Sequence, residues 1–369
     1  MRPPALLRLP LLWHSPVYRF HTCDWAEMSD NTPTDPLPMD WAAPSSMAAS
    51  APDDPELMAV RDYLLELDPY GTRFAKVLRN TIDQLLDGEN TGRFDWQELH
   101  KTEKTHAGTL VEINLQREFG FAGGQDLDYC LAGYEVDCKY SQKPYGWMIP
   151  PEALGEICLV VWADDYASQW SAGLFRANRE KLTKSGKETK KGNRDGKFRL
   201  TKELHTAVHW LWEKAPLKEN LLLQIEPESK RTILEAGSDS KRSPGAARVR
   251  ELFRQVQQRK VDRNVIRTLA RQKDYLKRVR YNSGARTSLQ QEGIIILGDH
   301  AIHQGISRNL GIPVAGKGEF VSVRVARLRP EHGDRARTIL EDEYWVVADE
   351  HDAPEPAPRI PEPKNKAAD

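Results

Sequence analysis

Apolar positions in this chain fall first at helical spacing and then at strand spacing, and the same order returns in the second half. Leu57, Val60, Leu64 and Leu65 recur at intervals suited to one helical face. Val77, Leu78, Ile82 and Leu85 do the same, so two helices are predicted, the second closed by Gly88. KTHAGTLVEINLQREFGF predicts a further helix, capped by Thr105 and ended by Gly120. DYCLAG and YEVDCKYS are two short runs around a Gly-containing turn, a predicted hairpin. EICLVVWA is continuously apolar, as suits a strand covered on both faces. A helix is predicted at TKELHTAVHWLWEKA, before Pro216. These elements together predict an α/β core around a mixed sheet.

Beyond Pro216 the pattern restarts. GAARVRELFRQVQQRKVDRNVIRTLARQKDYLKRVR carries two or three amphipathic helices, and GIIILG, FVSVRVARL and EYWVVAD read as strands. Helices followed by a small antiparallel sheet is the order of a winged-helix module. Residues 1–57 are rich in Pro, with Ser, Ala and Asp between. They are expected to be disordered or to precede the true start, with Met28, Met39, Met47 and Met58 as alternative starts. The expected division is thus 1–57 extension, 58–215 core domain, 216–350 second domain and 351–369 tail. EKLTKSGKETKKGNRDGKFRL, from Glu180 to Leu200, lacks any apolar period and reads as a basic loop.

The 369 residues are enough for two domains with separate cores. Cys23, Cys130, Cys138 and Cys158 form neither a CxxC pair nor a zinc spacing, which fits a reducing compartment. MRPPALLRLPLLWHSP has the outline of a signal peptide, but Arg8 and Pro10 interrupt it and no export is expected. No apolar stretch approaches the roughly 20 residues of a membrane span. A cytoplasmic protein without membrane partners is expected. Gly316, Lys317 and Gly318 lack the P-loop spacing, so no nucleotide cofactor is expected. His300 and His303 have no carboxylate or cysteine at ligand spacing and are expected at the surface.

The net charge of -1 hides a strong segregation. Between Arg248 and Arg286 stand 13 Arg and Lys against 3 acidic residues, a local excess of +10. Such a stripe suits a polyphosphate partner, although charged helix faces also serve protein–protein modules. Lys277, Arg278 and Arg280 are placed at a helix end, followed by small residues and Arg286, as a recognition helix runs into a loop over a groove. Arg271 and Lys273 precede them on the same stripe.

The chemistry concentrates earlier. In the strand YEVDCKYS, Val136, Cys138 and Tyr140 face the core, while Glu135, Asp137, Lys139 and Ser141 face the other way. Asp137 and Lys139 are then neighbours, roughly 7 Å apart along the strand. Asp128 opens the preceding strand and returns beside Asp137 through the hairpin. Glu112 lies on the preceding helix, between Val111 and Ile113. An Asp-x-Lys on a strand is most often a solvated face. The upstream carboxylates turn it into a kit for metal-assisted phosphodiester hydrolysis, with oxygen donors suited to Mg²⁺. Gln142, Lys143 and Tyr145 follow the strand directly and are placed where they could reach base edges or phosphates.

The order acid, Asp, Asp-x-Lys resembles the PD-(D/E)xK nuclease signature. HKTEKTHAGTLVEINLQREF, LAGYEVDCKYSQ, WMIPPEALGEICLVVWA, ENLLLQI, ARVRELFRQV, KRVRYNSGARTSL and EGIIILG resemble the NaeI-type restriction endonucleases, from about residue 58 to about 348. The resemblance implies a restriction-endonuclease-like core followed by a winged-helix (CAP-like) DNA-binding domain. It implies Glu112, Asp128, Asp137 and Lys139 as catalytic positions, with Mg²⁺ on Asp128, Asp137, the Cys138 backbone carbonyl and Glu112. It implies a homodimer cutting double-stranded DNA, activated by a second bound site (type IIE), at a GC-rich palindrome such as GCCGGC. Gln142, Lys143, Arg271, Lys273, Lys277, Arg278, Arg280 and Arg286 are the expected DNA contacts. One departure is Leu127, where a Pro usually precedes the first Asp. Two rival readings are a regulator that binds DNA without cutting it and a mismatch-repair nicking enzyme on a related core.

Overall fold

The computed structural model describes residues 54–184, 196–200, 206–238 and 243–361. The extension as far as residue 53, with Cys23 and the starts at Met28, Met39 and Met47, lies outside the described residues. So do the middle of the basic loop and residues 362–369.

The first half opens with α1 (Pro55–Leu67), earlier than the expected boundary at 58. Asp54 accepts from Leu57 N at 3.0 Å, Pro55 sits where a missing N–H costs nothing, and Asp54 also takes the Arg176 guanidinium at 2.8 Å. After α2 (Thr72–Leu86), Gly88 opens the short turn α3 (Gly88–Thr91) instead of closing the helix. The next helix, α4 (Lys101–Phe119), begins four residues before Thr105. The Glu103 carboxylate turns back to the His100 N–H at 2.8 Å, whereas the Thr105 hydroxyl donates to the Lys101 carbonyl. It ends at Gly120, φ 68°, as expected.

Six strands follow in one sheet: β1 (Ala122–Gly123), β2 (Tyr129–Leu131), β3 (Tyr134–Ser141), β5 (Ile157–Asp164), β6 (Gln169–Arg176) and β9 (His209–Pro216), in that spatial order. The β3–β5 pair is parallel and the others antiparallel, giving the expected mixed sheet. Ala132 and Gly133, both at positive φ, make the two-residue turn of the β2–β3 hairpin. Strand β5 is buried on both faces, which explains its uninterrupted apolar run. Ile157, Leu159 and Val161 join Val60, Leu78 and Leu115 of the helices. Cys158, Val160 and Trp162 pack instead with Trp147, Phe175 and Phe198. That second face carries a small sheet of β4 (Met148–Ile149), β7 (Thr183–Lys184) and β8 (Phe198–Arg199), so the ends of the basic loop are strands.

The helix expected at TKELHTAVHWLWEKA is not formed over its described part. Residues 201–205 lie outside the described residues, and His209–Pro216 is β9, paired with β6. The Trp210 and Trp212 side chains reach opposite faces, and irregular register around Ala172 lets the edge bend.

In the second half, α5 (Leu221–Gln224), α6 (Pro227–Glu235), α7 (Pro244–Gln255) and α8 (Arg263–Ala270) precede a single 3-10 turn at Tyr275–Arg278. The third amphipathic helix is thus one turn only. After α9 (Ala285–Gln290), strand β12 (Glu319–Arg327) pairs along its length with β10 (Val261–Asp262), β11 (Ile294–Leu297) and β14 (Glu343–Val347). Strand β13 (Arg337–Leu340) lies outside β14, and α10 (Ala301–Asn309) follows β11. The sequence pattern missed α6, α9, α10 and β13.

Residues 351–361, read as tail, lie against this half: Asp352, Ala357 and Ile360 are buried. His303 is fully buried, contrary to the surface position expected of it. Its ring accepts from Gly298 N and meets the Pro361 carbonyl, each at 3.0 Å.

The two halves share buried charge. Arg79 of α2, 6 % exposed, pairs with Asp83 at 2.7 Å and with Asp165. Asn264 of α8 donates to Asp83 at 2.6 Å, and Asn220 donates to Asp165 at 2.9 Å. Arg79→Ala strands the buried Asp165 carboxylate without its cation. We expect a loss of about 3–5 kcal/mol in stability, read as a lower urea midpoint.

Candidate active site

The hairpin and the β3–β5 pairing bring Asp128, Asp137 and Lys139 together as the sequence pattern predicts. Asp137 is only 3 % exposed, lodged opposite Cys158 in the parallel register. The Lys139 ammonium lies 2.5 Å from Asp137 Oδ1, 3.1 Å from the Cys138 carbonyl and 3.5 Å from Asp128 Oδ2. The same Asp128 oxygen accepts from Cys138 N at 2.7 Å, locking the loop end onto the central strand. The Cys138 thiol lies in the helix-side core, away from the charges, and burial pushes its pKa up.

Burial raises the Asp137 carboxyl above the usual range, and Lys139 opposes that rise. Desolvation alone would depress Lys139, but the Asp137 and Asp128 carboxylates hold its ammonium above the ordinary lysine value. Glu112 is raised by burial and then by the charge of Asp128. Its carboxylate makes no hydrogen bond or ion pair among the described residues, so it belongs to the cluster by field and not by contact. Its helix is nonetheless fixed there, because the Tyr129 hydroxyl donates to the Glu112 carbonyl at 2.7 Å.

Glu135 shares its strand face with Asp137 and Lys139 but has different partners. Its carboxylate accepts from Gln125 N at 2.8 Å, Asp126 N at 3.2 Å and Leu127 N at 2.9 Å, and these bonds hold its pKa low. It therefore clamps the loop that delivers Asp128. A proline at position 127 has no N–H to give, so this clamp needs a residue other than proline there, as Leu127 is. The acidic residue eight positions beyond a non-proline was the available signal.

Among the described residues, no three His, Cys, Asp or Glu side chains converge as a ready metal cage. The donors still fit a hard cation, because the third donor is a backbone oxygen: Asp128, Asp137 and the Cys138 carbonyl already surround one positive charge, the Lys139 ammonium. Imidazole is absent, the Cys138 thiol points away, and the Cys158 thiol, 3.9 Å from Asp137 Oδ2, is pushed up in pKa by burial, a poor set for zinc.

The family model "Restriction endonuclease NaeI" matches residues 58–356. The Type II restriction enzyme NaeI of Lentzea aerocolonigenes is 46 % identical over 312 residues, 84 % of this chain and 95 % of that protein. This chain belongs to the NaeI restriction endonuclease family. The mixed α/β fold is consistent with that membership.

The expected DNA contacts of this family member are scattered. Gln142 and Lys143 line a cleft of about 460 Å³ beside the end of β3, together with Tyr145 and Arg199, a basic residue the sequence pattern did not single out. Lys273, Lys277 and Arg280 are exposed, while Arg278 takes Gln272 as its partner at 2.8 Å. Arg271 instead turns to the first half, where its guanidinium lies so close to Gly92 that a Cβ there would meet it at 2.0 Å. Arg286 is 7 % exposed and donates to the Ile296 carbonyl at 3.1 Å, a structural bond to β11. Several cations of the basic stripe are also neutralised by acids from elsewhere, such as Arg259 by Glu219, Arg267 by Glu89 and Arg254 by Glu292.

The raised Asp137 and Glu112 carboxyls keep their protons to higher pH than ordinary carboxyls, and a divalent ion binds only the ionised form. Ca²⁺ binding should therefore release protons, and as pH falls it should weaken at higher pH than binding to unperturbed carboxylates would. Calorimetry in buffers of different ionisation enthalpy measures both effects; pH-independent binding would contradict the assignment.

Proposed function

We propose that this protein is a Mg²⁺-dependent, site-specific endonuclease that hydrolyses both strands of duplex DNA. The observation that carries the reading is the set of three oxygens (Asp128, Asp137 and Cys138 carbonyl) around the Lys139 ammonium, in a chain of the NaeI family. Asp128, Asp137 and the Cys138 carbonyl would hold the ion, with Glu112 orienting a water or a second ion. When bound, Mg²⁺ supplies charge to polarise the phosphoryl oxygen and to make the attacking water more acidic. Lys139 orients that water and offsets the negative charge gathering on phosphorus. Glu135 keeps Asp128 in register with Asp137 while substrate enters.

Symmetric cutting needs two copies of this site, which favours a homodimer. The second half, with its helices before an antiparallel sheet and its basic stripe, is read as a winged-helix DNA-binding domain. Type IIE activation through a second site, a GC-rich palindrome such as GCCGGC, 5′-phosphate products and a cytoplasmic setting complete the proposal. No helix among the described residues is long and apolar enough to cross a membrane.

Asp137→Ala should abolish cleavage of plasmid DNA in Mg²⁺ while DNA binding stays within a few-fold. Cleavage at an undiminished rate would overturn the site. In DNA-binding titrations against salt, four to ten phosphate contacts give a log–log slope of about -4 to -9. A slope shallower than about -2 would remove the basic stripe from the interface.

A further inference from the structure

Asp137 turns one carboxylate oxygen to the cluster and the other to strand β5. Oδ1 belongs to the trio around the Lys139 ammonium, which lies 2.5 Å from it. Oδ2 has the Cys158 thiol as its hydrogen-bond partner among the described residues, with Sγ at 3.9 Å. Parallel pairing sets Cys158 beside Asp137, so the sheet register itself fixes this contact. The rest of that β5 face is Val160 and Trp162, packed with Trp147 and Phe175. Val160 has no polar side-chain atom, and Trp162 stands four residues on, beside Ser141. Within the apolar run ICLVVWA, Cys158 is thus the side chain that offers a donor at the level of Asp137. Both residues are buried, so bulk water does not replace a lost donor.

A thiol is a weak donor, and on an exposed carboxylate such a bond would count for little. In a buried site an oxygen without a partner is costly, and the broad carboxylate torsion lets the group turn. Lys139 holds Oδ1 in the metal-free protein, yet the oxygens around its ammonium are those read as the ligands of the ion. Once a cation claims Oδ1, the thiol is the bond that still fixes the plane of the carboxylate. We propose that Cys158 is a positioning residue of the cation site: its S–H holds Oδ2 against β5 and so presents Oδ1 to the Asp128 and Cys138 oxygens. The inference rests on the reading of the cluster as a divalent-cation site and deepens it. A buried cysteine that merely fills space behaves as a small apolar residue. The two roles rank replacements in opposite order. A filler is better replaced by Val than by Ser, whose hydroxyl enters an apolar face, whereas a donor survives as Ser and is lost as Val.

The test uses the full chain as wild type, Cys158→Ser, Cys158→Val and Cys158→Ala, with Asp137→Ala as the reference for a lost ligand. Calorimetry without DNA gives the Ca²⁺ affinity, urea titration without metal gives the stability, and plasmid cleavage is followed in Mg²⁺. Ca²⁺ affinity should fall by about tenfold or more in Cys158→Val and Cys158→Ala, the usual effect of removing the partner behind a metal ligand, and stay close to wild type in Cys158→Ser. Cleavage should follow that order, while the urea midpoint follows the packing order, with Cys158→Val above Cys158→Ser. Wild-type Ca²⁺ affinity in Cys158→Val and Cys158→Ala overturns the proposal. So does a folded Cys158→Ser that loses as much affinity as they do. Should Cys158→Ser or Cys158→Val not fold, Cys158→Ala decides: weakened Ca²⁺ binding supports the proposal and unchanged binding overturns it. Failure of this inference alone leaves wild-type Ca²⁺ binding intact and Asp137→Ala inactive. A wild type that binds no Ca²⁺, or an Asp137→Ala that still cuts, overturns the reading of the cluster and this inference with it.

Discussion

A carboxylate buried to 3 % exposure, next to an ammonium on its own strand, is the constraint around which this molecule is arranged. Removing such ions from water costs several kcal/mol each, and attraction recovers that only when the geometry is tight. Asp137 and Lys139 meet at 2.5 Å, yet burial still leaves the carboxyl above its usual pKa. The site is therefore short of positive charge. Three oxygens share one lysine, which is the electrostatic condition under which a divalent cation binds readily.

The surroundings hold that shortage in place. Parallel pairing with β5 seats Asp137 beside Cys158, the hairpin returns Asp128 to the Cys138 N–H, and Glu135 fastens the intervening loop through three backbone donors. The residue after Lys139, Tyr140, lies within the electrostatic reach of Asp165 and Arg79. The shared charges of the two halves thus begin one residue beyond the candidate catalytic lysine.

Much of this was legible without coordinates. Strand alternation alone put Asp137 and Lys139 on one face with Cys138 on the other, because the period of a strand is set by backbone geometry. The apolar run of EICLVVWA likewise announced a strand covered twice. The failures share a cause. HTAVHWLWEKA is compatible with helix or strand, and the open edge of β6 decided for the strand. His303 looked polar and solvated, but a backbone N–H and a carbonyl from a segment 58 residues later satisfy both ring nitrogens. Arg286, counted with the basic stripe, donates to the Ile296 carbonyl, and the exposed Arg271 has its guanidinium beside Gly92, contacts that no local pattern reveals.

By itself, then, the sequence determined the candidate catalytic strand, the identity and facing of its charged residues, and the segregation of basic charge into the second half. Those properties depend on neighbours within a few positions, where backbone periodicity governs. Tertiary structure alone decided that Glu135 positions Asp128, that Glu112 stands off from the oxygen trio, and which arginines remain available to a ligand. Each of these depends on what a side chain meets across the fold, and desolvation and hydrogen-bond competition at that distance leave no periodic trace in the chain.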